Sequence, residues 1–195
     1  YDWFVSILGN DLIRIIPDFP KPGIIFKDIT PLLGNADAFS AVTHALANSD
    51  IDYTHVVGIE ARGFILGAAM AQLKSVGFVP LRKSGKLPHT TIARSYGLEY
   101  GSDVIEAHID ALTSKDRVLL VDDVLATGGT LLAGIELIHE LGAHVSEVVV
   151  LFEIEGLGGR EGIHMVAHGV AVGEGHRGAH RHHQHPRVEL LAGLR

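Results

Sequence analysis

VDDVLATGGT, Val121 to Thr130, places two adjacent acids ahead of a Thr/Gly turn. The apolar run before it, Val118 to Leu120, is bounded by Lys115, Asp116 and Arg117. Short, apolar and flanked by charge, that run reads as a buried strand of a parallel sheet. Asp122 and Asp123 follow it. The turn Ala126-Thr127-Gly128-Gly129-Thr130 then opens a helix over Leu131 to Leu141, with Gly142 as its C-cap. Free N–H groups and the dipole at a helix N-terminus favour an anion. Glycines let the backbone approach a phosphate closely and take positive φ, and Thr127 and Thr130 add hydroxyl donors. Paired carboxylates accept hydrogen bonds from vicinal hydroxyls, so one loop suits both ends of a ribose 5-phosphate. No Gly-Lys-Ser/Thr follows, and the acids precede the glycines, so neither a Walker A loop nor a GxGxxG fingerprint is present. On pattern alone, a βα turn with an acidic surface stays open beside the phosphate reading.

Upstream, Phe4, Ile7, Leu8, Leu12, Ile15 and Ile16 have the spacing of one helical face, predicting a helix over residues 1–16. Pro17 to Gly23 breaks it. The apolar Ile24-Ile25-Phe26 then leads into Lys27-Asp28. A stiff apolar segment of this kind is either a lid for a flat heterocycle or a packed N-terminal arm. Ala36 to Asn48 reads as a second helix. His55 to Ile59 reads as a buried strand running into Glu60-Ala61-Arg62, with a helix to about Lys74 in which Gly67, Ala68 and Ala69 permit close packing. Arg62 there is a second anion site or a surface charge.

Phe78 to Leu81 is another short strand. The basic run Arg82-Lys83-Ser84-Gly85-Lys86 is a mobile phosphate clamp or a solvated loop. Thr90 to Tyr100 and Val104 to Ile109 read as two flap strands joined at Gly101-Ser102, with Glu99 near the tip. An acid on a closing flap can work as general acid or base; without that setting it is a cross-strand surface charge. Val145 to Phe152 is a further buried strand. Strands alternating with helices give βαβ units and a parallel sheet. Ligands of such sheets bind at the carboxyl ends of the strands, where Glu60, Arg82 and Asp122 converge.

A chain of 195 residues with 47% hydrophobic and 20% charged content predicts one globular domain. With no cysteine, disulfides and thiolate metal sites are excluded. A net charge of -7 argues against nucleic-acid binding. No apolar run approaches the ~20 residues of a membrane span, and no signal peptide is visible, so a cytoplasmic protein without a membrane partner is expected. The chain opens at Tyr1 rather than Met, and we expect it to lack its true N-terminus.

Over roughly residues 11 to 163 the sequence resembles the type I phosphoribosyltransferases. The matching segments are IPDFPKPGIIFKDITPLL (Ile16 to Leu33), GIEARGF (Gly58 to Phe64), PLRKSGKLP (Pro80 to Pro88), SYGLEYG (Ser95 to Gly101), VDDVLATGGT and GGRE (Gly158 to Glu161). The Phe-Pro-x-Pro-Gly lid and the Leu-Glu-Tyr-Gly flap resemble the adenine branch rather than the orotate, hypoxanthine or uracil branches.

The resemblance implies an α/β fold. A central parallel sheet is flanked by helices, with an N-terminal base-binding hood over about residues 1–33 and a flexible β flap over about 83–108. It implies one catalytic domain, 1–163, and a glycosyltransferase of purine salvage. The reaction is adenine plus 5-phosphoribosyl 1-diphosphate giving AMP and diphosphate, with Mg²⁺ held mainly through substrate and water. By position, Ala126, Thr127, Gly128, Gly129 and Thr130 would cradle the 5-phosphate, and Asp122 and Asp123 the ribose hydroxyls. Arg62, Arg82, Lys83 and Lys86 would take the pyrophosphate, some reaching across a homodimer. Ile25, Phe26, Lys27 and Leu125 would meet adenine, and Glu99 would be the acid/base at N7. The alternatives are a transferase for another base, or a regulator that senses phosphoribosyl diphosphate without chemistry.

After Glu161 the resemblance ends. The last strand is not recognisable, and Gly162 to Arg195 holds seven of the thirteen histidines. Residues 164–195 are therefore expected to be a divergent tail, poorly ordered or artefactual, with a metal-binding tract as the other reading.

Overall fold

Short apolar runs, each cut off by charge or glycine, become the strands of one sheet. The computed structural model describes residues 12–98, 101–154, 156–167 and 187–190. In chain order the elements are β1 (Arg14–Pro17), β2 (Ile25–Asp28), α1 (Thr30–Leu33), α2 (Ala36–Ala47), β3 (His55–Ile59), α3 (Arg62–Lys74) and β4 (Gly77–Lys83). Then follow β5 (Thr91–Leu98), β6 (Gly101–His108), β7 (Arg117–Leu125), α4 (Gly129–Glu140), β8 (His144–Glu153), α5 (Gly159–Ala167) and β9 (Arg187–Leu190).

Seven strands form the main sheet in the order β5-β6-β4-β3-β7-β8-β9. The run β4-β3-β7-β8-β9 is parallel. β6 joins β4 antiparallel and carries β5 antiparallel in turn, forming the flap. The chain moves outward from β3 to β4, then crosses back to lay β7 on the other side of β3. Strand order reverses between β3 and β7, and that is where such a sheet opens a crevice for ligands.

β7 is buried on both faces, as a central parallel strand should be. Val118 and Leu120 enter a core with Ile59, Leu81, Leu131 and Ile135 beneath α4. Leu119 and Val121 enter a second core with Val42, Leu46, Leu66 and Met70 of α2 and α3. This two-residue alternation fixes which side chains reach the strand's end. Gly67 lets α3 lie close, since a Cβ there would come 2.8 Å from the Phe78 ring. Asn35 caps α2, accepting the Ala38 N–H at 3.0 Å. α4 ends in a Schellman motif, with Ala143 N–H donating to Ile138 and Gly142 N–H to His139, and with Gly142 at φ +89°.

Three sequence expectations change. The helix predicted over residues 1–16 gives way to a strand from Arg14. β1 pairs with β2 in a separate two-stranded sheet, Ile15 facing Lys27 and Ile16 facing Phe26. The β-branched Ile15-Ile16 pair before Pro17 suits a strand better than a helix; residues 1–11 lie outside the described residues. The flap is not joined at Gly101-Ser102, because Gly101 pairs with Leu98 and Ser102 with Gly97 inside the ladder. The connection is Glu99-Tyr100, which lies outside the described residues. Lastly, β9 adds a parallel edge strand from a region where pattern showed none. The rest of the stretch after Ala167 is outside the described residues.

Candidate functional site

β7 runs on through both acids to Leu125, so Asp122 and Asp123 sit in regular strand rather than after it. The next three residues turn the chain into α4. Gly128 makes that turn possible with φ +84°, a conformation L side chains rarely adopt. It also admits α5, since a Cβ on Gly128 would lie 3.0 Å from the Gly159 carbonyl. No side chain caps α4 and no acid stands in its first turn. Its N-terminus keeps the N–H groups and positive dipole that attract an anion.

A cavity of about 430 Å³ opens over this turn. Ala126 to Thr130 line one wall, with Asp122 and Val124 beside them. Pro20, Lys21 and Ile24, from the turn between β1 and β2, line it as well. An anion-binding helix end, an acid and an apolar hood thus share one space. Lys21 is a cation on this wall that the motif reading did not single out.

The acid pair is electrostatically tense. Burial, reinforced by the adjacent charge of Asp123, raises the Asp122 carboxyl well above its usual range. Burial raises Asp123 too, against the pull of Arg62. Asp123 is 3% exposed. It lies 2.9 Å from Arg62 Nη1, while Asp122 Oδ1 accepts the Asp123 N–H at 2.9 Å. Hydroxyl donors or a cation brought to this pair would relieve the crowded charge. The oxygens are hard donors that suit Mg²⁺, but two carboxylates are too few to complete its shell of about six. Among the described residues no group of three or more His, Asp or Glu is gathered for a metal.

Arg62 ties the acids to the hood. Its Nη1 approaches the Lys27 carbonyl at 3.4 Å, and its guanidinium lies 5.0 Å from the centre of the Phe26 ring. Phe26 in turn meets Phe19 edge-on at 5.2 Å. The hood residues expected at a base therefore separate. Phe26 is joined to the site through Arg62, the Lys27 ammonium sits over the Phe152 ring, and Ile25 is exposed at 62%. None of these three lines the cavity. Leu125 does not line it either: it is fully buried. Its side chain packs under the turn where α5 begins, so that a Cβ on Gly159 would strike it and the Ala126 carbonyl.

Arg82, Lys83 and Lys86 come together at the carboxyl end of β4, with carboxylate partners other than the one Arg62 takes. Each of them is paired with a carboxylate. Lys86 Nζ lies 3.0 Å from Glu60 Oε1 and Arg82 Nε 3.4 Å from Glu60 Oε2, while Lys83 Nζ pairs with Asp103 at 3.0 Å. Burial works against the charge on Glu60. The Lys83 N–H and the Lys86 and Arg82 side chains outweigh it and hold Glu60 at about 2. Glu106, 5% exposed, accepts the N–H groups of Lys86 and Leu87 at 3.1 Å each. In sequence Glu106 is only one position of the second flap strand, Val104 to Ile109, and Asp103 carries no signal. Glu99 lies outside the described residues. Beside it in sequence, the Gly97 carbonyl would lie 3.0 Å from a Cβ on Gly129, and the Tyr96 hydroxyl reaches Asp103 at 3.3 Å. The flap thus rests on the start of α4.

The family model for the phosphoribosyl transferase domain matches residues 30–168. The adenine phosphoribosyltransferase of Streptomyces clavuligerus is 55% identical over 150 residues, covering 76% of this chain and 84% of that one. The crystal structure of adenine phosphoribosyltransferase from Rhodothermus marinus DSM 4252 aligns with TM-score 0.79 at 43% identity, over 97% of this chain and 99% of that one. The Saccharomyces cerevisiae enzyme, solved with an imino-altritol bisphosphate and adenine, aligns with TM-score 0.77 at 35% identity, over 83% and 94%.

Proposed function

This chain belongs to the phosphoribosyl transferase domain family, and from that premise we propose that it transfers the phosphoribosyl group of 5-phospho-α-D-ribose 1-diphosphate to adenine, giving AMP and diphosphate in purine salvage. The observation that carries this is the single cavity walled by Ala126 to Thr130, Asp122 and the hood turn. It offers a phosphate end, a hydroxyl end and an apolar cover to one bound nucleotide.

In this reading the backbone of Ala126 to Thr130 holds the 5-phosphate at the start of α4, and Asp122 and Asp123 accept the ribose hydroxyls. Breaking the bond from C1 to diphosphate leaves positive charge on the ribosyl centre, near those acids. The electron pair leaves with the diphosphate, and Arg82, Lys83 and Lys86 receive the charge. Arg62 shares that role in the proposal, although its present partners are Asp123 and the hood. Phe26 supports the base side, Ile25 and Lys27 through their backbone; Leu125 supports the turn from beneath. Mg²⁺ suits the available oxygen chemistry, reached by Asp122 and Asp123 through substrate hydroxyls and water, and when bound it supplies charge neutralisation at the leaving group. Adenine reacts as its N7–H tautomer: the free lone pair of N9 forms the new bond as the N7 proton passes to Glu99, the proposed acid/base. The flap strand leading to Glu99 rests on Gly129, which supports an acid arriving as the flap closes and water is excluded.

A homodimer in the cytoplasm completes the proposal. Ile65 and Leu73 leave apolar surface exposed on α3 at 43% and 39%, which a second copy would cover. Among the described residues no helix is long and apolar enough to cross a membrane. The reverse reaction tests the function: AMP with diphosphate and Mg²⁺ should release adenine, while IMP should release no hypoxanthine. Equal release from both would remove the base assignment.

A further inference from the structure

The cationic turn is built around a buried anion of the protein's own. Glu106 lies on β6 opposite Arg82 of β4. One carboxylate oxygen accepts the N–H groups of Lys86 and Leu87, and the other lies 3.5 Å from the Thr91 hydroxyl. A carboxylate this buried is costly unless hydrogen-bonded, and here backbone dipoles of the turn meet its charge. Burial alone would raise Glu106, but the N–H groups of Leu87, Gly85 and Lys86 outweigh it and hold it below the usual range. Lys86 is consequently fixed at three points: its N–H by Glu106, its carbonyl by Arg82 at 3.3 Å, and its ammonium by Glu60.

We infer that Glu106 is a positioning residue for diphosphate, holding the backbone of the turn so that Arg82 and Lys86 present their charges in a fixed arrangement. This rests on the proposed function. Glu106 touches neither the cavity nor the acid pair, so its effect reaches the substrate only through the turn. A turn ordered in advance spares the ordering cost that binding would otherwise carry. Lys86 and Arg82 then have only to exchange Glu60 for the incoming phosphoryl oxygens.

The test is Glu106→Gln, measured by calorimetry with diphosphate and with AMP, alongside AMP-forming kinetics. Loss of positioning should weaken diphosphate binding and raise KM for phosphoribosyl diphosphate by about tenfold, with kcat and AMP affinity within about twofold. A simple loss of negative charge near cations would instead tighten diphosphate binding, and that result overturns the inference. So does equal weakening of diphosphate and AMP, which marks general structural damage. In the unaltered protein, hydrogen exchange should find the Lys86 and Leu87 amides protected before any ligand is added; exchange at open-loop rates overturns the anchor even if the variant fails to fold. AMP formation by the unaltered protein, with diphosphate binding within about twofold in Glu106→Gln, rejects the anchor and leaves the function standing. Neither AMP formation nor diphosphate binding in the unaltered protein rejects both.

Discussion

At Asp123 two demands meet. Its carboxylate is buried, and Arg62 is the cation beside it. Removing its charge should leave Arg62 short of a partner and take one acceptor from the ribose. Asp123→Asn is therefore expected to weaken phosphoribosyl diphosphate binding about tenfold, roughly 1.4 kcal/mol; unchanged affinity by calorimetry would remove Asp123 from the ribose site. Glu99→Ala should separate chemistry from binding, lowering kcat by about a hundredfold or more with diphosphate affinity nearly unchanged. Equal loss in both would undo the acid/base role. Glu60 gives a pH signature. Its folded value is depressed from 4.5 to about 2, so its ion pairs stabilise the fold above 4.5, and that contribution is lost as pH falls toward 2. The difference in Tm between the protein and Glu60→Gln should shrink across that window; a constant difference would mean that Glu60 carries no such charge linkage. The phosphate turn and the acid pair were legible because their chemistry is local to ten residues. Glu106 and Asp103 were not, because their partners lie across β4–β6 pairing or in the turn beyond it, contacts that no short pattern encodes.

At the scale of elements, the phosphate turn stands on α5. A Cβ on Gly159 would strike the Ala126 carbonyl and Leu125, both rigid neighbours. Gly159→Ala should cost about 2 kcal/mol by overpacking, lowering Tm by roughly 4–8 °C in a domain of this size. An unchanged Tm would show that α5 can shift freely. By contrast, Arg94 ties the flap to α4 through Glu140 and Glu136, with both partners substantially exposed. Such pairs contribute little, so Arg94→Ala should change stability by less than about 1 kcal/mol. The central strands and helices were readable from periodicity, since burial on two faces leaves unbroken apolar runs. β1 was not: its Ile15-Ile16 pair continues the helical spacing of the residues before it, and this masks the strand preference that pairing with Phe26 and Lys27 realises. The flap connection slipped by two residues for a related reason, because glycine marks a turn in sequence but also sits comfortably within an edge ladder.

Across the whole molecule, the sheet's reversal between β3 and β7 gathers groups that are far apart in sequence. Glu60 follows β3, Arg82 lies one residue from the end of β4, and Asp122 and Asp123 lie in the last half of β7. The hood brings Pro20 and Ile24, from the other end of the domain, over the cavity that Asp122 lines. Convergence at the strand ends was legible from the βαβ pattern alone. That Arg62 and the basic turn take different carboxylate partners was not, because no short pattern says which carboxylate each cation finds in the folded protein. The most direct measurement is AMP formation from adenine, phosphoribosyl diphosphate and Mg²⁺, with hypoxanthine and guanine in parallel. AMP from adenine, with no IMP or GMP from the other two, is the expected result. Turnover with hypoxanthine or guanine but not adenine, or binding of phosphoribosyl diphosphate without product from any base, would contradict it.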